Sequence, residues 1–231
     1  MRPLGEALAA AGFPVVAPAL AGHGTEVADL ARTGWPDWLA SAEAALAALR
    51  AEVPRVAVAG LSMGGLLALV LAARRPHDVA ALVLAAPALR LADRRIGLLP
   101  WAARIPPLRR RLGLIPKRGG RDIADPDARA ASRAYDAAPL DAVLALLALR
   151  REARRALPRV TQPVLLLQGR LDRTVPASVE ALVRRRLGSR RLETATLEHS
   201  GHVLTEDVDR ARVGALVTDF LGRVEAATQE R

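Results

Sequence analysis

Short apolar runs of Val, Leu and Ala alternate along the chain with longer stretches in which apolar residues recur at helical spacing. Fully apolar runs suit strands covered on both faces, and their alternation with helices suits a parallel sheet. The pattern predicts one α/β domain over residues 1–231, with helices on both faces of a mostly parallel sheet. Strands are predicted at residues 14–20, 55–60, 79–87, 163–169 and 190–197. Helices are predicted at residues 3–11, 35–51, 63–75, 177–187 and 207–225.

The alternation stops between residues 89 and 159. This stretch has Arg-rich pieces interrupted by Pro and one amphipathic helix pattern, at residues 139–157, but no run typical of a strand. An insertion of this kind between two strands is typical of a helical cap over a functional site, although a purely structural excursion gives the same pattern. We therefore expect a cap at about residues 89–159, with apolar side chains from around Leu98 to Ile105 or Leu140 to Leu149 over the functional site.

The formal charge of +10 raises the question of a nucleic-acid partner. The positive residues are almost all Arg, with Lys117 the only Lys, and aromatic residues make up only 3% of the chain. A nucleic-acid module would gather its cations beside stacking aromatics, whereas the densest Arg runs, at residues 109–111 and 184–186, fall in helix patterns. These runs indicate solvated helix faces, so no nucleic-acid partner is expected.

Three absences in the sequence narrow the function classes. The chain contains no Cys, which excludes disulfides, thiolate catalysis and Cys-ligated metal sites. No apolar run reaches the ~18 residues of a membrane span, and the first residues lack the apolar core of a signal peptide. We expect a cytoplasmic protein with no integral membrane segment, no metal and no cofactor. The oligomeric state is left open.

Ser62 is the first candidate for chemistry. It lies in "GLSMG", which fits the pattern G-x-S-x-G at Gly60, Ser62 and Gly64, between an apolar strand pattern and a helix pattern. This strand-turn-helix context indicates a nucleophile elbow, in which both glycines are expected to prevent collisions with the strand and the helix. The N–H of Met63, at the start of the helix, is the expected donor to an oxyanion. A helix-capping Ser is the simpler alternative, but it explains neither glycine.

A serine nucleophile needs a base, and the base needs an orienting carboxylate. His199 and His202 both follow the last predicted strand, and His202 is favoured because the preceding Gly lets the loop turn sharply. Asp172 follows the preceding strand, where it could otherwise simply close a turn with the next residues. Because these residues and Ser62 each follow a strand of the same parallel sheet, we expect Ser62, His202 and Asp172 to meet at one edge of the sheet.

With these motifs the chain resembles the α/β-hydrolase carboxylesterases and monoacylglycerol lipases, most closely the small bacterial carboxylesterases, from Met1 to about Leu221. The resemblance implies an α/β-hydrolase fold and roles for Ser62, Asp172 and His202 as nucleophile, acid and base. It also implies a small-molecule substrate, an ester with a short or medium acyl chain, and a structural role for the loop around His23. The matching motifs are "APALAGHG", "TGWPDWL", "GLSMGG", "QGRLDRTVP" and "EHSGHVLTED".

The resemblance also predicts a departure. Family members carry further N-terminal strands and a loop after the third strand that supplies a second oxyanion N–H, and the chain shows no counterpart of either. By the family's strand order, the third strand would lie between the segments at Val15 and Val56. The sequence thus leaves three possibilities: an active serine esterase, a weakly active or inactive hydrolase remnant, and a non-enzymatic binding protein.

Overall fold

The computed structural model describes residues 1–116, 121–132 and 137–229. Residues 117–120 and 133–136 of the predicted cap lie outside the described residues. Short 3₁₀ helices lie at Arg94–Leu98 and Leu157–Arg159. Helices α1 to α10 lie at Arg2–Ala10, Val27–Arg32, Trp35–Glu52, Met63–Arg74, Leu99–Ala102, Pro106–Arg111, Pro126–Ala131, Leu140–Ala156, Ser178–Arg186 and Arg210–Gln229. Strands β1 to β6 lie at Val56–Leu61, Val79–Ala85, Leu114–Pro116, Ala137–Pro139, Val164–Gly169 and Leu192–Leu197.

The main sheet is parallel, as the sequence predicts, and its strand order is β1-β2-β5-β6. Six of the seven residues of the central strand β2 are buried, because neighbouring strands flank it and helices cover both of its faces. Parallel strands end at the same edge of a sheet. The residues that follow β1, β5 and β6 are therefore brought together at the carboxyl edge.

Helices cover both faces of the sheet. On one face, α3, α4, α8 and α9 contribute to a core cluster with side chains of β1, β2 and β5. Helix α4 packs against β1, β2, α3 and α8, and every residue from Gly65 to Ala72 is buried. On the other face, α1 and α10 pack against each other and enclose a second cluster that includes Phe220. The residue after β1 is consequently held between two well-packed elements.

The region between β2 and β5 contains α5, α6, α7 and α8, in agreement with the mainly helical pattern there. It also contains a short antiparallel pair, β3 and β4, where the sequence indicated no strand. Each of these strands has three residues and ends in a Pro, Pro116 or Pro139, so neither has the length or composition of a strand pattern. The long helix α8 packs on α4, which ties this region to the sheet.

The strand predicted at residues 14–20 is wrong. These residues form no secondary structure, and Val15 and Val16 are 40% and 48% exposed. A strand needs backbone partners, and within the described residues β1 is the edge of the sheet and pairs only with β2. The apolar pattern of residues 14–20 is that of a strand, but no strand among the described residues pairs with it.

Candidate active site

Ser62 occupies a strained turn between β1 and α4. Its φ of 54° and ψ of −110° place it in a region that residues other than Gly rarely adopt. The Ser62 N–H donates to the Ala85 carbonyl at 2.8 Å, and the Ser62 carbonyl accepts from the Ala88 N–H at 3.2 Å. Hydrogen bonds to the end of the neighbouring strand therefore fix the turn from both sides, and they keep the side chain above the carboxyl edge.

The glycines of this turn differ in their roles. A Cβ on Gly60 would collide with the main chain of Gly64, so Gly60 is required for the strand to approach the helix. The same expectation for Gly64 is wrong, because a Cβ there would meet open space. The second crowded position is Gly65 instead, where a Cβ would lie 2.9 Å from the Cβ of Pro87. The G-x-S-x-G pattern thus coincides with the crowding at only one of its two glycines.

The structure brings Ser62, His202 and Asp172 together. His202 Nε2 lies 2.9 Å from Ser62 Oγ, and His202 Nδ1 lies 3.0 Å from Asp172 Oδ2. Because an ionised carboxylate only accepts hydrogen bonds, Nδ1–H donates to Asp172 and leaves Nε2 to accept from the serine hydroxyl. The hydrogen bonds from Ser62 through His202 to Asp172 form a continuous relay. The side chains of His202 and Asp172 are 11% and 2% exposed, which shields this relay from water.

The carboxylate of Asp172 is held in a fixed orientation. Its Oδ1 accepts from the N–H groups of Thr174 and Val175, both at 2.8 Å. Its other oxygen is thereby directed towards His202. Three donors thus compensate for the burial of this carboxylate.

The loop that carries His202 is held by two carboxylates that the sequence interpretation did not single out. Asp207 is fully buried and accepts from the Gly201 N–H at 2.7 Å. Asp209 accepts from the Ser200 hydroxyl and the His199 N–H, both at 2.9 Å. Burial acts to raise the pKa of Asp209, but these hydrogen bonds outweigh burial and lower that pKa.

The alternative base, His199, does not reach Ser62. Its side chain is 74% exposed and its Nδ1 lies 3.4 Å from Asp209 Oδ1. His23 lies in a different place, where its Nδ1 contacts the Ala21 carbonyl at 3.1 Å and its ring packs edge-on against Trp38. These contacts are those of a loop-bracing residue, in line with the structural role that the resemblance implies.

An exposed ion pair joins the loops that follow β5 and β6. The Arg170 guanidinium donates two hydrogen bonds to Glu198, at 2.9 and 3.2 Å. These bonds lower the pKa of the Glu198 carboxyl and raise the pKa of Arg170. Both side chains are solvated, so the pair contributes little to stability, but it joins the acid-bearing and base-bearing loops at the surface.

Met63 is the first residue of α4, so its N–H has no acceptor within the helix and is available at the positive end of the helix dipole. A groove of about 760 Å³ begins beside it and runs between β1 and the segment from Phe13 to Pro18. Apart from Arg55, Ser62 and Glu225, every residue that lines this groove is apolar or Gly. The groove thus lies where the family's third strand is expected.

None of the described residues of the predicted cap lines this groove. Leu98, Trp101 and Ile105, expected over Ser62, are instead 65%, 69% and 52% exposed. Helix α8, the other candidate lining, turns Ala142 and Leu149 into the core cluster beside α4. The described apolar surface of the groove that includes Ser62 therefore comes from the sheet, from α3, α4 and α10, and from the first residues of the chain.

The described residues include no group of three or more His, Asp or Glu side chains that could hold a metal ion. Among the described helices, none combines the length and the apolar character that a membrane span requires.

Comparison with known proteins gives consistent matches. The family described as serine aminopeptidase, S33, matches residues 1–209. The thermostable monoacylglycerol lipase of Bacillus sp. (strain H-257) is 33% identical over 223 residues, which cover 96% of this chain and 85% of that protein. The carboxylesterase of Bacillus subtilis (strain 168) is 23% identical and is covered to 87%, with 97% of this chain aligned.

Solved structures match over the same extent. A structure from work on LipS and LipT, two metagenome-derived lipolytic enzymes, superposes with a TM-score of 0.87 at 32% identity, covering 96% of this chain and 87% of that one. The monoacylglycerol lipase of Paleococcus ferrophilus superposes with a TM-score of 0.74 at 20% identity, covering 96% and 88%. The second match bears on the fold alone, and both place the chain in the α/β-hydrolase fold.

Proposed function

The chain belongs to the serine aminopeptidase S33 family, and we propose that it hydrolyses esters of short- and medium-chain fatty acids through an acyl-enzyme on Ser62. As a member it is a serine hydrolase of the esterase or monoacylglycerol lipase kind. The observation that carries the proposal is the continuous relay from Ser62 through His202 to Asp172, with hydrogen-bond distances of 2.9 and 3.0 Å.

The geometry supports a two-step reaction. Ser62 Oγ attacks the ester carbonyl carbon while its proton passes to His202 Nε2, and Asp172 stabilises the imidazolium that forms. The tetrahedral intermediate collapses, the ester C–O bond breaks and His202 returns the proton to the leaving alcohol. Water then attacks the acyl-enzyme with His202 again as base, which releases the acid and restores Ser62.

The Met63 N–H is the proposed oxyanion donor. It follows Ser62 directly and begins α4, so it lies beside the carbon that Ser62 attacks and the helix dipole strengthens it. A donor of this kind is worth ~10²–10³ in rate when it is aligned with the developing charge. A site with Met63 alone therefore has less transition-state stabilisation than one with two donors.

The substrate class follows from the surroundings of Ser62 and from the relatives. Apolar side chains flank Ser62, and of the two charged lining residues, Arg55 and Glu225, Arg55 lies at the opposite end of the groove, before the start of β1. Relatives with 33% and 23% identity are a monoacylglycerol lipase and a carboxylesterase. We therefore infer that a simple acyl ester, including a monoacylglycerol, is accepted in preference to a charged or sugar ester.

A series of p-nitrophenyl esters with acyl chains of two to sixteen carbons tests this proposal. We expect kcat/KM to be highest for short and medium chains, with release of fatty acid from a medium-chain monoacylglycerol. Aminoacyl p-nitroanilides are the matched comparison, because the family's description names an aminopeptidase. Faster cleavage of the anilides than of every ester would contradict the proposal.

The open edge of β1 favours a second candidate, a weakly active hydrolase remnant that acts as a binding protein. Such a protein would keep the relay but turn over slowly. Release of p-nitrophenol that stays below about one per chain, from a protein whose melt is cooperative, would identify this second candidate. Repeated turnover would identify the esterase.

We expect an added strand in the groove beside β1 to stabilise the protein. Its side chains would each contribute ~1.5–3 kcal/mol on burial, and its backbone would pair with the open edge. A chain extended at Met1 by a strand-forming segment and a Gly-containing loop should show a higher Tm and should bind less of the apolar dye ANS than residues 1–231. A Gly/Ser extension of equal length is the control. Equal melting and equal dye binding for both extensions would refute the expectation.

A further inference from the structure

Asp122, in the region between β2 and β5, contacts the loop that presents Asp172. One oxygen of its carboxylate, Oδ2, accepts from the Arg173 N–H at 2.9 Å and from the Thr174 hydroxyl at 2.8 Å. The side chain of Asp122 is only 11% exposed. A largely buried carboxylate with two donors from one turn holds that turn in place, and this turn directly follows Asp172.

The main chain of Asp122 holds the other loop. Its carbonyl accepts from the N–H of His202 at 2.9 Å and from the N–H of Val203 at 3.3 Å. The approach is close enough that a Cβ on Gly201 would lie 2.8 Å from the Asp122 carbonyl oxygen. The φ of Gly201 is not positive, so the Gly before His202 provides room for Asp122 rather than the sharp turn that the sequence indicated.

Asp207 links the segment that contains Asp122 to the loop that carries His202. In addition to the Gly201 N–H, it accepts from the N–H groups of Ala124 and Asp125, each at 2.8 Å. The segment that contains Asp122 is therefore fixed at both ends. Its position relative to the loop of His202 is set by hydrogen bonds to the fully buried Asp207.

From these contacts we infer that Asp122 is a positioning residue that sets the distance between Asp172 and His202. Its carboxylate fixes the loop of Asp172, and its main-chain carbonyl fixes the backbone of His202. One residue therefore determines how the two loops are placed relative to each other. This inference rests on the proposed function, in which the relay through His202 is used for ester hydrolysis.

The expected consequence of losing the Asp122 carboxylate lies in the chemical step. In Asp122→Ala, the Arg173 N–H and the Thr174 hydroxyl lose their acceptor, and the turn after Asp172 is free to shift. A displacement of about 1 Å in such a relay can reduce rate ~10²-fold, so we expect kcat for p-nitrophenyl butyrate to fall ~10- to 100-fold. KM should change less than ~2-fold, because Asp122 is not among the residues that line the groove at Ser62.

Two variants of the same segment serve as comparisons. Asp122→Asn keeps an oxygen that can accept from Arg173 and Thr174, and it should restore kcat to within ~3-fold of the unchanged protein. Asp127→Ala removes an exposed carboxylate five residues further along and should leave kcat and Tm unchanged. Equal losses in Asp122→Ala and Asp122→Asn would overturn the inference, as would a kcat for Asp122→Ala within ~3-fold of normal.

A second pair of variants decides the matter if Asp122→Ala fails to fold. Thr174→Ser keeps the hydroxyl that donates to Asp122 and should retain kcat, whereas Thr174→Val removes it and should lower kcat severalfold. In the Asp122→Asn background Thr174→Val should still lower kcat, because the Asn oxygen continues to accept from the Thr174 hydroxyl. Equal rates for Thr174→Ser and Thr174→Val would overturn the inference.

Proton NMR separates failure of this inference from failure of the proposed function. The His202 Nδ1 proton shared with Asp172 should give a low-field signal in the unchanged protein and in Asp122→Asn, and this signal should broaden or vanish in Asp122→Ala. That signal does not depend on ester turnover. An inactive protein that shows this pattern would refute the esterase proposal and leave the positioning role of Asp122 standing, whereas an unchanged signal in Asp122→Ala would refute the positioning role.

Discussion

Replacing Ser62 by Ala should reduce ester hydrolysis by about 10⁴-fold or more, because Oγ is the atom that attacks the substrate in the proposed reaction. The variant should also lose covalent labelling by a fluorophosphonate probe, which reacts with an activated serine hydroxyl. Because Ser62 is N-cap to α4 without a side-chain cap hydrogen bond, its loss should leave Tm nearly unchanged. Steady-state kinetics, intact mass after labelling and a thermal melt check these three expectations.

Ser178→Ala is the matched control, because Ser178 is an exposed serine at the first turn of a different helix, α9. It should retain both full activity and full labelling. Residual hydrolysis by Ser62→Ala above one tenth of the normal rate would show that another group carries the reaction. Labelling that persists in Ser62→Ala would lead to the same conclusion.

The second large effect is expected from Asp172→Asn, with a fall in kcat of about 10⁴-fold. The N–H groups of Thr174 and Val175 both donate to Oδ1 of Asp172, so the Asn carbonyl oxygen will remain there. Its amide NH₂ must then face His202 Nδ1 and donate to it. His202 is thereby forced into the tautomer that carries its proton on Nε2, where it cannot accept the proton of Ser62.

Glu198→Gln provides the comparison for Asp172→Asn. Glu198 is a carboxylate on the loop after β6, but its partner is the exposed Arg170. Its replacement should change kcat by less than ~2-fold, because exposed ion pairs contribute little. A loss of less than tenfold in Asp172→Asn, with the fold intact by circular dichroism, would contradict the assigned role of Asp172.

The elements that the sequence predicted well are those with local signals. The pattern at residues 55–75 predicted a buried strand, a Gly-flanked turn and an apolar helix, and the structure has β1, Ser62 and α4 at these positions. The later strands β5 and β6 were also predicted to within a few residues. Periodicity and turn chemistry are properties of neighbouring residues, so these features can be recognised without knowledge of the rest of the chain.

The prediction at residues 14–20 was wrong for a non-local reason. Those residues have the composition of a strand, but a strand exists only where a second backbone pairs with it. The expectation that Leu98 to Ile105 would cover Ser62 was wrong for a similar reason. The apolar character of a short helix does not determine whether it faces a site or solvent.

By itself, the sequence determined the sheet-and-helix alternation, the turn of Ser62 and the consecutive placement of Asp172 and His202 after strands. Only the tertiary structure decided which carboxylates hold those residues in register. Asp122 lies 50 residues before Asp172 and 80 before His202 in a region without a strand pattern, and its role depends on hydrogen bonds to the backbone of both loops. Every residue except Pro carries a backbone N–H, whatever its side chain is. The sequence therefore does not show which N–H groups will form such bonds. They form only when packing brings the segments together.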